Sequence, residues 1–488
     1  MSTSPSSHNK KIVSALSWKF LERVGVLGTQ FILQIFLARL LDPSHYGAVS
    51  LMIVFTTLAN VFIQRGFNTA LIQNKDVTEE DYSSVFWVTL GIAAVAYGVL
   101  FCSAPLIARL YKLPEIITPF RVLALLLFPG ALNSIQRAKV SRALDFRKIF
   151  FGNLSAIILA GTSGIVIAKM GGGLWALVAQ NLVNVTTSCL VMRFLVNWKI
   201  RFVCNLRRVK VLFSYGWKLL VSGLIDTLYQ DLRSLVIGVK YDAGTLGYYD
   251  RGKHFPQYVI NVVNSTVQTV MLPAMSANQD DQNRVKSMMR NSIMLSSFII
   301  FPMMAGLAGV SESLVELILT EKWLPCVPYM RIYCFTLAFY PVHSCNLQAI
   351  NAVGRSDIFL KLEIIKKTIG IAALCIAAFF FNSPIAIAMT GVFTTLISCF
   401  INASPNRKLV DYSYLEQMRD VLPSLLVALV MCFAVLSVEL LNLGSLVTML
   451  IQIPLGVVVY TGLAAALHLT PFKLLLGALQ NLRRKKQA

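Results

Sequence analysis

Acidic residues and histidines are scarce in this chain. It carries 23 Asp and Glu and 5 His in 488 residues, and charged residues of both signs make up only 14%. A soluble domain carries roughly 25% charged residues, so a deficit sustained over the whole length excludes an ordinary water-soluble globule. Cysteine pairs are lacking too. The nine cysteines, at 102, 189, 204, 326, 334, 345, 375, 399 and 432, form no CxxC pair and mostly fall inside apolar segments. That excludes a disulfide framework or a thiolate metal site and predicts buried free thiols. Neither HExxH nor GxSxG occurs, which removes two hydrolase chemistries. GYYDRGKH at 247–254 has the GxxxxGK skeleton of a nucleotide loop, but His254 stands where a Mg2+-binding Ser or Thr is required. In an apolar helical context this match is chance, and no ATP motor is expected. No catalytic residue, resident metal or organic cofactor is expected either. A cleavable leader is also missing. The polar first 11 residues end in Lys10 and Lys11, and the segment behind them contains Lys19, Glu22 and Arg23. It lacks the short uninterrupted apolar core and small-residue cleavage site of a signal peptide, so it reads as a retained membrane helix.

What is present is apolar: 56% of residues are hydrophobic and the mean hydropathy is +0.66. A helix needs about 20 mostly apolar residues to cross the hydrocarbon core. Fourteen segments qualify, near 15–40, 44–66, 83–107, 117–138, 148–169, 173–195, 213–238, 245–272, 291–316, 325–350, 357–380, 384–402, 420–439 and 446–468. The fold class is therefore all-α integral membrane protein. The longest polar interruptions are about 15–20 residues, too short for an inserted soluble domain, so any chemistry occurs in or at the membrane. The net charge of +21 would suggest nucleic acid in a soluble protein; here it reflects basic loops on one side of the bilayer, and no nucleic acid is expected. With the N-terminus in the cytoplasm, RAKVSRALDFRK (137–148), WKIRFVCNLRRVK (198–210), NRVKSMMR (283–290), NRK (406–408) and RRKK (483–486) share that side. About 28 Lys and Arg then face the cytoplasm against about 6 outside, which puts both termini in the cytoplasm.

The chain also says the same thing twice. Trp18-Lys19 opens the first segment and Trp217-Lys218 the seventh; Asp42 and Gly47 follow in one case, Asp242 and Gly247 in the other. Pro129, Gln136 and Asp145 are spaced by 7 and 9, and so are Pro341, Gln348 and Asp357, with Arg121 and Arg331 ahead of them. Two six-helix lobes follow, 1–212 and 213–410, with two additional helices and a basic tail over 411–488. Six is even, so the halves run parallel, and transporters built this way place the substrate path between the halves.

An ionisable side chain inside a membrane helix is expensive and faces a cavity or a partner. In the first segment Arg23, Gln30 and Gln34 share one face; in the seventh Asp226, Gln230 and Arg233 do so. The eighth carries Arg251, Lys253 and His254, and the run His254, Gln257, Asn261, Asn264, Gln268 lies down one side at 3-4-3-4 spacing. The second adds Asn60, Gln64 and Arg65, and the eleventh Lys361, Glu363, Lys366 and Lys367. One water-filled cavity among the first, second, seventh and eighth segments accounts for these stripes. Its balance would be cationic, with Arg23, Arg233, Arg251 and Lys253 suited to a phosphate or diphosphate and Gln30, Gln34, Asp226, Gln230, His254, Asn261 and Asn264 lining it. Blander readings stand beside this one. Lys19, Arg65 and the lysines of the eleventh segment can simply snorkel, Glu363 and Lys367 can pair at i,i+4, Asp226 or Asp231 can neutralise Arg233, and the amide stripe can be interhelical glue.

LARLLDPSHYGAVSLMIVFTTLANVFIQRGFNTALIQNKDVTEEDYSSVFWVTLG (37–91) resembles bacterial polysaccharide flippases of the Wzx type, above all the colanic and teichuronic acid exporter branch. LDFRKI (144–149), SYGWKLLVSGLID (214–226), VMLPAMSANQDD (270–281) and LTEKWLPCVPYMRI (319–332) carry the likeness across the chain. The resemblance implies the multidrug/oligosaccharidyl-lipid/polysaccharide exporter fold and translocation of an undecaprenyl-diphosphate-linked sugar repeat unit by alternating access in the bacterial cytoplasmic membrane. It also implies a polysaccharide polymerase and export machinery as partners, and coupling to H+ or Na+ as among relatives. It fixes no ligand residue. Arg23 lies toward the inner end of its helix, Arg233 and Arg251 toward the outer ends of theirs, so they would hold a diphosphate in turn. Two other functions fit the composition: an ion-coupled drug or metabolite antiporter of the same superfamily, and a membrane polymerase or ligase of the same pathway.

Overall fold

The computed structural model describes residue 18, residues 25–74, 76–278 and 281–487. Lys19, Glu22 and Arg23 lie outside the described residues. Every regular element among those described is helical. Among the described residues nine helices are long and apolar enough to cross a membrane, or ten with the bent helix described below. The chain is thus an all-α membrane protein, and it packs as two compact units, 1–247 and 248–488.

The first unit holds α1 (Gly25–Leu40), α2 (Pro43–Gln73), α3 (Glu79–Leu110), α4 (Ile117–Leu123), α5 (Leu127–Arg142), α6 (Phe146–Lys169), α7 (Leu174–Leu195), α8 (Leu206–Lys240) and the first turn of α9 (Ala243–Ser276). α4 and α5 make one interrupted span. α8 bends by 57° between Ser214 and Gly216, and packs along α2. The packing unit therefore keeps the helix that opens the second sequence repeat.

The turns at the two hairpin tips are built alike. Asp42 is the N-cap of α2 in extended backbone, with Pro43 next. Pro is tolerated there because its missing N–H is one of the orphans of a helix start. The Asp42 N–H donates to His45 Nδ1 at 3.4 Å. Asp242 accepts from the Thr245 N–H (2.9 Å) and the Thr245 hydroxyl (2.8 Å). Partial burial pulls the Asp242 carboxyl up, but these hydrogen bonds win and hold it below the usual carboxylate range. Such a cap stabilises above the ordinary value and is lost only as pH falls through the lowered one.

At the basic end, the segment between α7 and α8 is clamped onto the start of α3. Trp198 is fully buried, edge-on to Phe86. The Asn205 N–H donates to Ser84 Oγ (3.0 Å), the Arg201 N–H to Ser83 Oγ (3.2 Å), and Trp87 Nε1 to the Arg201 carbonyl (3.0 Å). Arg208 holds buried Asp81 with both ends of its fork, Nε to Oδ1 at 3.0 Å and Nη2 to Oδ2 at 2.8 Å. Hydrogen bonds to charged groups contribute about 1.5–3 kcal/mol each when well made, and Arg208 is 41% exposed, so the low end applies. Asp81→Asn is expected to lower the thermal midpoint in detergent by a few degrees and to expose 196–205 to proteolysis. An unchanged midpoint with unchanged protection would remove the clamp.

The second unit holds the rest of α9, then α10 (Gln282–Gly309), α11 (Ser311–Leu319), α12 (Val327–Ala338), α13 (Tyr340–Ala352), α14 (Ser356–Phe380), α15 (Pro384–Ala403), α16 (Asn406–Leu409), α17 (Tyr414–Ser437), α18 (Ser445–Ala466) and α19 (Thr470–Gln487). Asn346, Asn406 and Gln417 form a fully buried amide network at 2.7–3.1 Å joining α13, α16 and α17. Glu363 pairs with Lys366 at 2.5 Å, so the expected ion pair on this helix closes at i,i+3. All nine cysteines are free, five of them buried. Cys102, Cys204 and Cys375 are exposed instead, a correction to the buried state expected of all; two sit on the outer faces of apolar helices.

The repeat recurs in local geometry, with a correction. α5 and α13 end alike: Leu144 and Gly354 have positive φ (56° and 76°), and the next N–H reaches back to Val140 O (3.2 Å) or Ile350 O (3.1 Å). Arg121 Nε donates to the Phe101 carbonyl and Arg331 Nε to the Ala308 carbonyl, each at 3.3 Å. These equivalents stand 210 residues apart, whereas Gln136 with Gln348 and Asp145 with Asp357 stand 212 apart. The position matching Gln136 is Asn346, and both are buried. A second amide two residues further on mimicked the repeat.

Candidate functional site

The polar residues of α2 are not spread around the helix. Thr57, Asn60, Val61, Gln64, Arg65, Asn68, Thr69 and Ile72, with Thr227 of α8, enclose a cavity of about 350 Å³. Their 3-4 spacing places the α2 members on one face. Among the nine described wall residues Arg65 is the one that ionises; six are neutral hydrogen-bonding side chains. Gln64 Nε2 donates to Asn60 Oδ1 at 3.1 Å. Asn68 Oδ1 is buried and has no hydrogen-bond partner among the described residues.

Arg65 lies eight residues before the end of α2 at Gln73, about 12 Å inside that end. Its stem runs across to α8. A Cβ added to Gly223 would stand 3.1 Å from both Cγ and Cδ of Arg65. A snorkelling arginine would run along its own helix to the interface; this one crosses the gap over bare glycine backbone. A forked cation among amides and hydroxyls, with no carboxylate among the described wall residues, suits a compact anion. The volume sits at the low end of small-ligand pockets.

The other end of α2 is closed by backbone contact. A Cβ on Gly47 would fall 1.7 Å from the Ala243 carbonyl oxygen, and one on Gly247 2.0 Å from the Pro43 oxygen. Only glycine permits this approach, which is why the pair recurs in both sequence halves.

The remaining expected site residues are distributed as follows. Gln30 and Gln34 on α1 are half-buried, as are Asp226 and Arg233 on α8, while Gln230 is exposed. The Arg233 guanidinium lies 6.0 Å from the Tyr229 ring centre. On α9, Arg251 is buried, its guanidinium 5.2 Å from the ring centre of fully buried Trp323. Lys253 is half-buried, His254 is exposed and stacks on Tyr258, and Asn261 accepts from Gln257 at 3.0 Å. Asn264 is on the same helix, its side chain outside the described set. GYYDRGKH is helical throughout, within α9, and Gly252 packs against Tyr329 and the Cys326 carbonyl; no phosphate-cradling loop exists there. Among the described residues no cluster of His, Cys, Asp and Glu could hold a metal ion. Thr57, Asn68, Thr69 and Thr227 were not anticipated. The signal for the first three was present as polar residues continuing the Asn60-Gln64 face; Thr227 depends on how α8 packs.

Comparison with known proteins places these features. Residues 36–328 match the model of a family described as "Polysaccharide biosynthesis protein". The chain is similar to the teichuronic acid biosynthesis protein TuaB of Bacillus subtilis, 23% identical over 72% of this chain and 73% of the relative. It is similar to the lipopolysaccharide biosynthesis protein WzxC of Escherichia coli, 23% identical over 82% of each. Its fold is similar to that of the lipid II flippase MurJ in an inward closed conformation, with a TM-score of 0.73 at 16% identity, covering 93% of this chain and 99% of that one.

Proposed function

The chain belongs to the polysaccharide biosynthesis protein family, within the multidrug/oligosaccharidyl-lipid/polysaccharide exporters, and from this premise we propose that it is a flippase for lipid-linked oligosaccharides. The observation that carries the reading is the α2 cavity with Arg65 as the one ionisable side chain among its described wall residues. The substrate is an undecaprenyl-diphosphate-linked repeat unit. Arg65 takes the diphosphate through its fork, and Asn60, Gln64 and Asn68 serve the remaining oxygens and the first sugar hydroxyls. The distal part of the tail stays in the bilayer. Arg23, Arg233, Arg251 and Lys253 are later or earlier holds on the path, and Gln30, Gln34, Asp226, Gln230, His254, Asn261 and Asn264 offer amides, a carboxylate and an imidazole to the sugar.

In this reading no bond is made or broken, so the protein is a transporter and not an enzyme. Alternating access carries the head group from the cytoplasmic to the outer leaflet, with both termini cytoplasmic, H+ or Na+ as coupling ion, and a polysaccharide polymerase receiving the product. A drug antiporter would need a carboxylate in its pocket to take organic cations; the α2 cavity has none among its described wall residues. Deleting the chain in its host is expected to make lipid-linked oligosaccharide accumulate on the cytoplasmic side and to remove the cognate surface polysaccharide. Undiminished surface polysaccharide with no accumulated precursor would overturn the flippase reading.

A further inference from the structure

The same helix that carries the polar cavity forms one wall of an apolar groove. Phe55, Leu58, Ala59 and Phe62 of α2 face Val88, Gly91, Ile92, Val95, Ala96, Val99 and Leu100 of α3 across a space of about 680 Å³. No polar side chain is among the described residues that line it. Val95 and Val99 are 70% and 61% exposed, so the groove is open along its length. Its far end is closed by aromatics: Phe55 lies 6.3 Å from the Tyr111 ring centre and 6.0 Å from that of Phe120. Its near end is Phe62, three residues before Arg65, about 4.5 Å along the axis.

We infer that this groove between α2 and α3 is the seat of the first isoprenoid units of the lipid substrate, whose diphosphate rests at Arg65. The inference rests on the flippase reading and specifies how that site holds its ligand. The order of chemistry along α2 matches such a lipid lying in the basic-side leaflet. Arg65, Asn68 and Thr69 lie between the near end of the groove at Phe62 and the basic end of α2, while Thr57, Asn60 and Gln64 run beside the groove on the side of α2 that meets α8. From Val88 to Leu100 the groove runs about 18 Å, enough for part of a polyprenyl chain; the rest extends into bilayer. The apolar cavity of the second unit, lined by Val259, Met303, Met431 and Ile453 among others, has no cationic residue on its wall. The pairing of cation and groove distinguishes the α2–α3 site from it.

Gly91 makes the test clean. A Cβ there meets nothing within 4 Å, and Gly98 on the same helix, outside the groove, is equally unobstructed. The full-length protein in nanodiscs is titrated with undecaprenyl diphosphate, farnesyl diphosphate and inorganic pyrophosphate. Gly91→Phe is expected to weaken undecaprenyl diphosphate roughly tenfold, farnesyl diphosphate similarly, and pyrophosphate not at all; Gly98→Phe is expected to bind all three as wild type does. If Gly91→Phe does not accumulate, Val95→Trp on the same wall takes its place. Undecaprenyl diphosphate bound equally by wild type and the groove variants, but lost in Arg65→Glu, would overturn the groove and leave the flippase reading standing. No binding of undecaprenyl diphosphate by the wild type would overturn that reading as well.

Discussion

Arg65→Glu is expected to abolish translocation of lipid-linked oligosaccharide while the protein reaches the membrane in normal amount. Arg65 is exposed and no carboxylate stands among the described residues of its cavity wall, so reversal breaks no ion pair with them. The functional loss is large because two effects add. Two charge-assisted hydrogen bonds to a diphosphate, each worth about 1.5–3 kcal/mol, disappear. A carboxylate then repels the anion it replaces them with. Loss of the bonds alone corresponds to at least about a hundredfold in affinity. Arg65→Lys is expected to fall between, since an ammonium keeps the charge but not the planar fork. Gly223→Leu gives a charge-neutral check. Its side chain would occupy the place where the Arg65 stem lies, so transport is expected to drop with the arginine intact. Normal transport by Arg65→Glu would remove this cavity from the mechanism, and loss of the protein from the membrane would show that the residue serves the fold instead.

The second large effect is expected at the hairpin tips. Gly47→Ala places a methyl group 1.7 Å from the Ala243 carbonyl oxygen, a contact that backbone cannot yield without the tips separating. Overpacking costs about 1–3 kcal/mol or more when only backbone can move, enough to shift a two-state balance about tenfold. If closure of these tips is one state of the transport cycle, the variant loses most transport and stays folded. Spin labels at Ser44 and Lys240, both exposed, are expected to show a longer-distance population than in the wild type. Gly247→Ala, whose Cβ meets the Pro43 oxygen at 2.0 Å, is expected to behave the same way. An unchanged distance distribution and unchanged transport in both variants would exclude the tip contact as part of the cycle.

Much of this molecule can be read from residue order. Membrane class follows from composition and the helix positions from apolar runs, because the bilayer imposes both. The hairpin caps follow from Asp-Pro and from Asp with Thr three residues on. The internal repeat follows from Asp42 and Gly47 with Asp242 and Gly247, where the glycines prove to be a backbone requirement. Its register in the later helices was less legible. Gln136 and Asn346 fill the same buried place, and Gln348 stands two residues away; a single chain gives no way to choose between two amides.

The cavity was half legible. Asn60, Gln64 and Arg65 stand out as polar residues in an apolar helix, but their depth and the direction of the Arg65 stem depend on Gly223 of α8, 158 residues away in sequence. Tertiary packing of that kind leaves no local pattern. Arg251 shows the converse. It stands out in the sequence as a candidate hold for the substrate, and its place against Trp323 is what the sequence does not reveal. The apolar groove was invisible, since a run of Val, Ala, Gly and Leu reads the same whether it packs, faces lipid or walls a cleft.

The most direct measurement uses the purified full-length chain in liposomes carrying a fluorescent undecaprenyl-diphosphate-linked oligosaccharide, with a membrane-impermeant quencher or lectin reporting the outer leaflet. Wild type is expected to move labelled lipid between leaflets at a rate well above protein-free liposomes, and Arg65→Glu to return that rate to background. Equal rates with wild type, with Arg65→Glu and without protein would contradict the account.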